Sequence, residues 1–136
     1  MPTSTPARNP LEQLDAPEAG RVALKFFFNL MERWGCNAEQ QRTLLGGVGN
    51  TTFYKYKHLP PNVRLPHDTL ERISYLMGIH KALSIIFSNS RERACTWVSS
   101  PNTAAPFNGR TALDYMLAGR VVDIADVRRY LDGVRG

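Results

Sequence analysis

Apolar residues recur along most of this chain at the three- and four-residue steps of buried helix faces. From about Arg21, the positions Val22, Leu24, Phe26, Phe27, Leu30, Met31 and Trp34 trace the first such face, and Gly35 is placed to cap its C-terminus. Asn37 is the expected cap of a second, short helix through Ala38, Gln41, Leu44 and Leu45, which stops in a tight turn at Gly46, Gly47, Val48 and Gly49. Asn50 is the expected cap of a third helix, with Phe53 and Tyr56 inward, Thr51, Thr52, Tyr54, Lys55 and Lys57 outward, and His58, Leu59, Pro60 and Pro61 as its breaker. After a loop, Asp68 and Glu71 read as a capping pair for a long amphipathic helix that carries Leu70, Ile73, Leu76, Met77, Ile79, Leu83 and Ile86 to about Phe87. Asn89 with Glu92 opens another helix running to Trp97 and Val98, and Pro101, Asn102, Pro106, Asn108 and Gly109 mark a loop. Thr111 with Asp114 caps the next helix, which buries Leu113, Met116 and Leu117 and ends at Gly119. Asp123 opens the last, with Ile124, Val127, Tyr130 and Leu131 on one face and Arg120, Arg128, Arg129 and Arg135 largely outside it. No stretch alternates with the period of a strand, so the predicted fold is all-α.

Residues 1–20 break this pattern. They carry Pro2, Pro6, Pro10 and Pro17 and no apolar periodicity, and are expected to form a flexible tail. At 136 residues with 43% hydrophobic and 21% charged, the rest has the composition of an ordinary globular protein, large enough to fold without a metal or disulfide staple. Cys36 and Cys95 belong to no C-x-x-C pair and His58, His67 and His80 are scattered, so zinc-ligand spacing is absent. No apolar run approaches the ~20 residues of a membrane span and the N-terminus has no signal pattern; a cytoplasmic protein without membrane contact is expected.

The net charge of +5 is unevenly placed. Residues 21–100 hold eleven basic and five acidic side chains, and between Glu39 and Asp68 there is no acid at all, while Arg42, Lys55, Lys57 and Arg64 fall in that gap. A short helix, a glycine turn and a second helix with a polar, basic outer face is the order of parts in a helix-turn-helix. In that reading Asn50, Thr51, Thr52 and Tyr54 lie within reach of bases or phosphates, and Lys55 and Lys57, joined by Arg42 and Arg64, contact phosphates. The alternative is a helical hairpin with a basic rim, and no arginine stands between Asn50 and Lys57 to grip guanine bidentately.

Signals for catalysis are missing. The cysteines and histidines sit in no nucleophile–base arrangement. The glycine cluster lacks the Lys and Ser/Thr of a phosphate loop and follows no strand. Asp123, Asp126 and Asp132 form an acidic group whose first two members are expected in the first turn of a helix, where its dipole accounts for them.

Three segments make the chain recognisable: Trp97 to Pro101-Asn102; Phe107-Asn108-Gly109-Arg110-Thr111-Ala112-Leu113-Asp114 with the stop at Gly119; and Arg128-Arg129-Tyr130-Leu131. They resemble the C-terminal toxin-binding domain of Xre/MbcA/ParS-type antitoxins. Upstream, Trp34-Gly35, Leu44-Leu45-Gly46 and Thr52-Phe53-Tyr54-Lys55 resemble the Xre-type helix-turn-helix of the same proteins. The resemblance implies a type II toxin–antitoxin module in which this chain, without a cofactor or enzymatic activity of its own, neutralises a RES-domain, NAD-consuming toxin encoded in the same operon. It further implies repression of the operon's promoter DNA, and a homodimer within a higher-order toxin–antitoxin complex. Carried over by position, it places Thr51, Thr52, Tyr54 and Lys55 on the DNA-recognition helix, and Asn108, Gly109, Arg110, Asp114, Arg128, Arg129 and Tyr130 in the toxin-binding segment, to which Arg135 adds a further cation. The implied division is a tail at 1–20, a DNA-binding and dimerisation domain at 21–87 and a toxin-binding domain at 88–136. Ile79, Leu83 and Ile86 suit either a dimer seam or core packing. The family's usual turn is Leu-Gly-Val-Ser; here Gly46, Gly47 and Gly49 add backbone freedom between the two helices. A stand-alone transcription regulator, or a pure inhibitor with vestigial DNA binding, are the alternative readings.

Overall fold

A computed structural model describes residues 18–136 as seven α-helices: α1 (Ala19–Trp34), α2 (Ala38–Leu44), α3 (Asn50–Lys57), α4 (His67–Ile86), α5 (Arg91–Thr96), α6 (Ala112–Met116) and α7 (Val121–Arg135). A 3-10 turn, Trp97–Ser99, extends α5, and the described residues contain no strand, only an isolated bridge between Pro101 and Thr111. Residues 1–17 of the expected tail lie outside the described residues, whereas Ala19 and Gly20 already belong to α1. Gly20 is buried because the backbone of Val63 passes directly over it, an approach that leaves no room for a Cβ.

Each helix buries the face that its spacing dictates, with local corrections. In α1 the buried residues Gly20, Ala23, Leu24, Phe27, Leu30, Met31 and Trp34 form one stripe. Val22, expected on that stripe, lies well off it and is 64% exposed. Gly35 is the left-handed cap, at φ 70°, and the following amide, Cys36 N, donates to Met31 O at 3.0 Å. Asn37 caps α2 in a full capping box with Gln40: each side chain accepts from the other's backbone N–H at 2.8 Å.

Four expected caps shift by one to three residues. Gly49, not Asn50, is the N-cap of α3; burial of Phe53 and Tyr56 sets the register, and Asn50 becomes the first helical residue, exposed. Pro66 occupies the N-cap of α4, so Asp68 and Glu71 make no capping pair, and the Asp68 carboxylate instead accepts from Arg72 at 2.8 Å. Ser90, not Asn89, caps α5, accepting from Arg93 N. Arg120 is the N-cap of α7, with Asp123 three residues in, reaching back to accept from Arg120 N at 3.0 Å. Asp126 therefore sits in the second turn, so the helix dipole does not account for it. Thr111 does cap α6, accepting from Asp114 N at 2.9 Å.

The long helix α4 is the axis of the molecule, packed against α1, α5 and above all α7. Arg72 near its start donates to Gly119 O just before α7 at 2.8 Å, and Gly78, two turns on, lies against the guanidinium of Arg128, so α4 and α7 run side by side in the same direction. Ile73, Leu76, Ile79 and Leu83 on α4 and Ile124, Val127 and Leu131 on α7 are buried in one hydrophobic core that also holds Phe27, Phe53 and Phe107. Ile79 and Leu83 are thus core residues and Ile86 packs against the core; the exposed apolar residue of this helix is Ile85. Of the two readings open for Ile79, Leu83 and Ile86, core packing is the one realised, because these positions fall on the side of α4 that faces its neighbours.

Candidate functional site

Two surfaces gather the residues singled out by sequence. The first is α3. Its inner side chains Phe53 and Tyr56 are buried, with Phe53 edge-on to Phe28 of α1 at 5.8 Å, and this anchoring turns Asn50, Thr51, Thr52, Tyr54, Lys55 and Lys57 outward, all exposed. Tyr54 is 53% exposed and braced edge-on by Phe53. The Lys57 ammonium rests over the Phe28 ring, 5.2 Å from its centre, which holds it beside the helix end. Arg64 is exposed on the loop before α4.

Between α2 and α3 the glycine turn is held rather than loose. Gly46 and Gly47 both adopt positive φ, 110° and 80°, and their amides donate to Thr43 O and Arg42 O, closing the end of α2. Arg42, expected at phosphates, donates its Nε to Val48 O across the turn at 2.9 Å. Thr69 of α4 ties down Leu45 O at 3.2 Å, and the Asp68–Arg72 pair stands against Gly46 so closely that a Cβ there would lie 2.8 Å from Asp68 Oδ2. The added backbone freedom expected from the glycines is thus used up in a defined geometry.

The second surface lies on α6, α7 and the loop before them. Phe107 is fully buried, edge-on to Tyr130 and Tyr115, and Trp97 stacks on Tyr130 with 6.2 Å between ring centres. These rings pin the loop to the bundle. Its turn is set by Asn108 at φ 52° and Gly109 at φ 97°, with Gly109 N donating to Asn102 O at 2.7 Å. Asn108, Gly109 and Arg110 are exposed there. Over the pinned rings a polar chain forms: the Arg110 guanidinium covers the Tyr115 ring at 5.6 Å, Tyr115 OH donates to Asp126 Oδ2 at 2.7 Å, and Arg129 donates to Asp126 Oδ1 at 3.2 Å. The bond to Asp126, with burial and the same carboxylate's charge adding to it, pushes the Tyr115 hydroxyl above its ordinary range. Beside it is an open groove of about 420 Å³ lined by Ala105, Pro106, Asp126, Arg129 and Tyr130.

The structure therefore brings Arg110, Arg129 and Tyr130 together with Tyr115 and Asp126, which sequence reasoning did not assign to a site. Arg128 and Arg135 are not part of this group. Arg128 lies across Gly78 of α4 and pairs with Asp132, and Arg135 approaches the same carboxylate at 3.9 Å. Asp114 is exposed on α6. A second missed residue is Arg72, buried and bonded to both Asp68 and Gly119 O, which links the glycine turn to the start of α7. Its i, i+4 spacing from Asp68 was visible; its bond across 47 residues was not. Cys36 is no nucleophile at neutral pH, since burial pushes its thiol up to about 11.

A helix-turn-helix with a polar, basic second helix, packed on a short helical region with its own arginine-rich face, defines a protein built to bind two kinds of partner. Residues 13–78 match the antitoxin Xre-like helix-turn-helix domain, and residues 82–136 match the antitoxin Xre/MbcA/ParS C-terminal toxin-binding domain. The uncharacterised protein y4oB of Sinorhizobium fredii is 44% identical over 135 residues, covering 99% of this chain and 92% of that relative. The chain belongs to the Xre-type antitoxins, with the helix-turn-helix domain N-terminal to the toxin-binding domain, and its general functions are DNA binding and neutralisation of a toxin. This is a family of binding proteins rather than enzymes, and none of the described helices is long and apolar enough to cross a membrane.

Proposed function

We propose that this antitoxin acts in the cytoplasm, where residues 88–136 cover the active-site entrance of a RES-domain, NAD-consuming toxin encoded in the same operon, while residues 21–87, as a homodimer, bind and repress the operon's promoter. The observation that carries the DNA half is the outward set Asn50, Thr51, Thr52, Tyr54, Lys55 and Lys57 on a helix whose angle to α2 is locked by the Gly46–Gly47 turn. Arg110 and Arg129, poised around the Tyr115–Asp126 bond beside an open groove, support the toxin-binding half: two cations on a rigid aromatic base suit an acidic or anion-binding entrance. Asn108 and Gly109 are exposed on the loop beside Arg110, Asp114 is exposed on α6, Tyr130 lines the groove, and Arg128 and Arg135 present a second, Asp132-paired cationic edge on α7.

Co-expression with the neighbouring gene product tests the whole reading: the toxin alone depletes cellular NAD and stops growth, and this chain restores both. Unchanged NAD and growth with the neighbour alone would overturn the RES assignment. Separation of the two surfaces follows. K55A/K57A is expected to weaken promoter binding and lower its salt slope by up to about 2 while neutralisation persists; R110A/R129A should do the reverse. Loss of both activities in either variant would argue against two independent surfaces. Deleting residues 124–136 does not make this distinction, because Ile124, Val127 and Leu131 are part of the common core.

A further inference from the structure

Away from both surfaces, the C-terminal halves of α1 and α4 and the start of α5 enclose a cleft with two adjoining lobes of about 260 and 240 Å³, which share Leu30, Arg33 and His80. Its walls combine two chemistries. Trp34 and Phe87 supply flat apolar surface in the larger lobe, and Phe26, edge-on to the His80 ring at 5.8 Å, supplies it in the smaller. Arg33 from α1 and Arg91 from α5 bring guanidinium groups to the same cleft, with Ser84 and Ser88 hydroxyls between the elements. No Asp or Glu lines either lobe, and neither arginine makes an ion pair or side-chain hydrogen bond among the described residues. Of the other described arginines, Arg72, Arg120, Arg128, Arg129 and Arg135 pair with carboxylates, Arg21 and Arg42 donate to backbone carbonyls, and Arg93 and Arg110 rest on aromatic rings. Burial, with the nearby Arg33 charge adding to it, holds His80 below its ordinary range, so at pH 7 the ring is neutral and the positive charge of the cleft belongs to the arginines.

We propose that this cleft is a binding site for a small organic anion, a carboxylate, sulfonate or phosphate carried on a flat apolar body. The body lies against Trp34 and Phe87, and the anion bridges Arg33 and Arg91, which are donors well matched to such groups. Each lobe alone is just below the usual size of a small-molecule pocket, and the two together reach it. Because Arg33 on α1 lies within the helix-turn-helix match and Phe87 and Arg91 lie within the toxin-binding match, such a ligand would clamp the two regions together.

The probe is 8-anilinonaphthalene-1-sulfonate, titrated into the full chain and followed by dye and tryptophan fluorescence. Saturable binding at one site is expected, weakened at least about tenfold by R33M and by R91M, the loss of one charge-assisted contact in each. Both guanidinium groups are on exposed residues, so the variants should melt like the parent. K55M/K57M, which removes twice as much charge elsewhere as either single variant, should bind the dye unchanged, and the neutral analogue N-phenyl-1-naphthylamine should bind poorly. H80W, which fills the shared part of both lobes without altering charge at pH 7, should exclude the dye. Equal dye binding by R33M and R91M, or equally tight binding of the neutral analogue, would overturn the anion site; no saturable binding to the parent chain would overturn the cleft as a site altogether.

Discussion

Replacing Gly46 by alanine probes the joint on which the helix-turn-helix depends. Gly46 sits at φ 110°, where an L-residue is strained by roughly 1–2 kcal/mol, and its new Cβ would lie 2.8 Å from Asp68 Oδ2 and 3.3 Å from Arg72 Nε. The Asp68 carboxylate, half exposed, must swing away and loosen its 2.8 Å bond to Arg72. Solvent screening limits that second cost to roughly 0.5–1 kcal/mol, so G46A should lose about 1.5–3 kcal/mol in all. Gly47 is the built-in control: at φ 80° with nothing within 4 Å of its Cβ position, G47A should lose only the conformational part, about 1–2 kcal/mol. For a chain of this size each kcal/mol lowers the melting temperature by roughly 3–5 °C. Thermal and urea unfolding of G46A, G47A, D68A and G46A/D68A complete a double-mutant cycle, in which the excess cost of G46A over G47A should shrink by at least about half once Asp68 is gone. An excess that stays the same in the D68A background would refute the claim that the turn is held by the Asp68–Arg72 pair. G46A should also weaken promoter binding more than G47A does, since it disturbs the packing that sets the angle of α3.

Three further outcomes follow from the packing. F107A removes a fully buried ring beneath Trp97, Tyr115 and Tyr130 and should cost about 3–5 kcal/mol, with loss of toxin binding measured in a pull-down, because the loop bearing Arg110 is no longer pinned. G20A should destabilise by more than about 1 kcal/mol in urea unfolding, although alanine is the better helix former, because its Cβ collides with the Val63 carbonyl; a gain in stability would show that the loop yields freely. Burial alone would raise the Asp123 carboxyl, but hydrogen bonds from the Arg120 side chain and backbone, with the charges of Arg120 and Arg72, outweigh it and hold it below its ordinary range. A group lowered in this way stabilises the fold above its unfolded pKa, near 4, and ceases to do so as pH falls through the folded value. D123N should therefore melt below the parent at pH 7, by roughly 1 kcal/mol of lost stability, and the two curves should converge as pH falls through the lowered folded value.

The sequence alone determined the helical class, the inner faces of α3 and α7, the left-handed cap at Gly35 and the capping box at Asn37. These depend on spacing and on local hydrogen bonds a few residues apart, which the chain carries with it into any context. It also singled out the exposed residues of α3, since a helix whose inner side is Phe53 and Tyr56 has no choice but to present Thr51, Thr52, Tyr54, Lys55 and Lys57. Cap positions were less legible. Asn50, Asn89 and the Asp68–Glu71 pair all have good capping chemistry, but helix register was settled by which side chains could be buried and by Pro66, and energies of about 1 kcal/mol per cap yield to that. What joins distant parts of the chain was decided only by tertiary structure. Arg128 shares the helical stripe of Ile124, Val127 and Leu131 and Arg129 does not, but only tertiary structure decided what each meets: the first lies across Gly78 of α4 and the second is drawn to Asp126 on the open face. Ile79 and Leu83 could have served a seam or a core, and the arrival of α7 alongside α4 made them core. Arg33 and Arg91 are ordinary surface arginines in the sequence; folding sets them in one cleft because α5 packs back onto α1, a contact between segments some sixty residues apart that no helical period encodes.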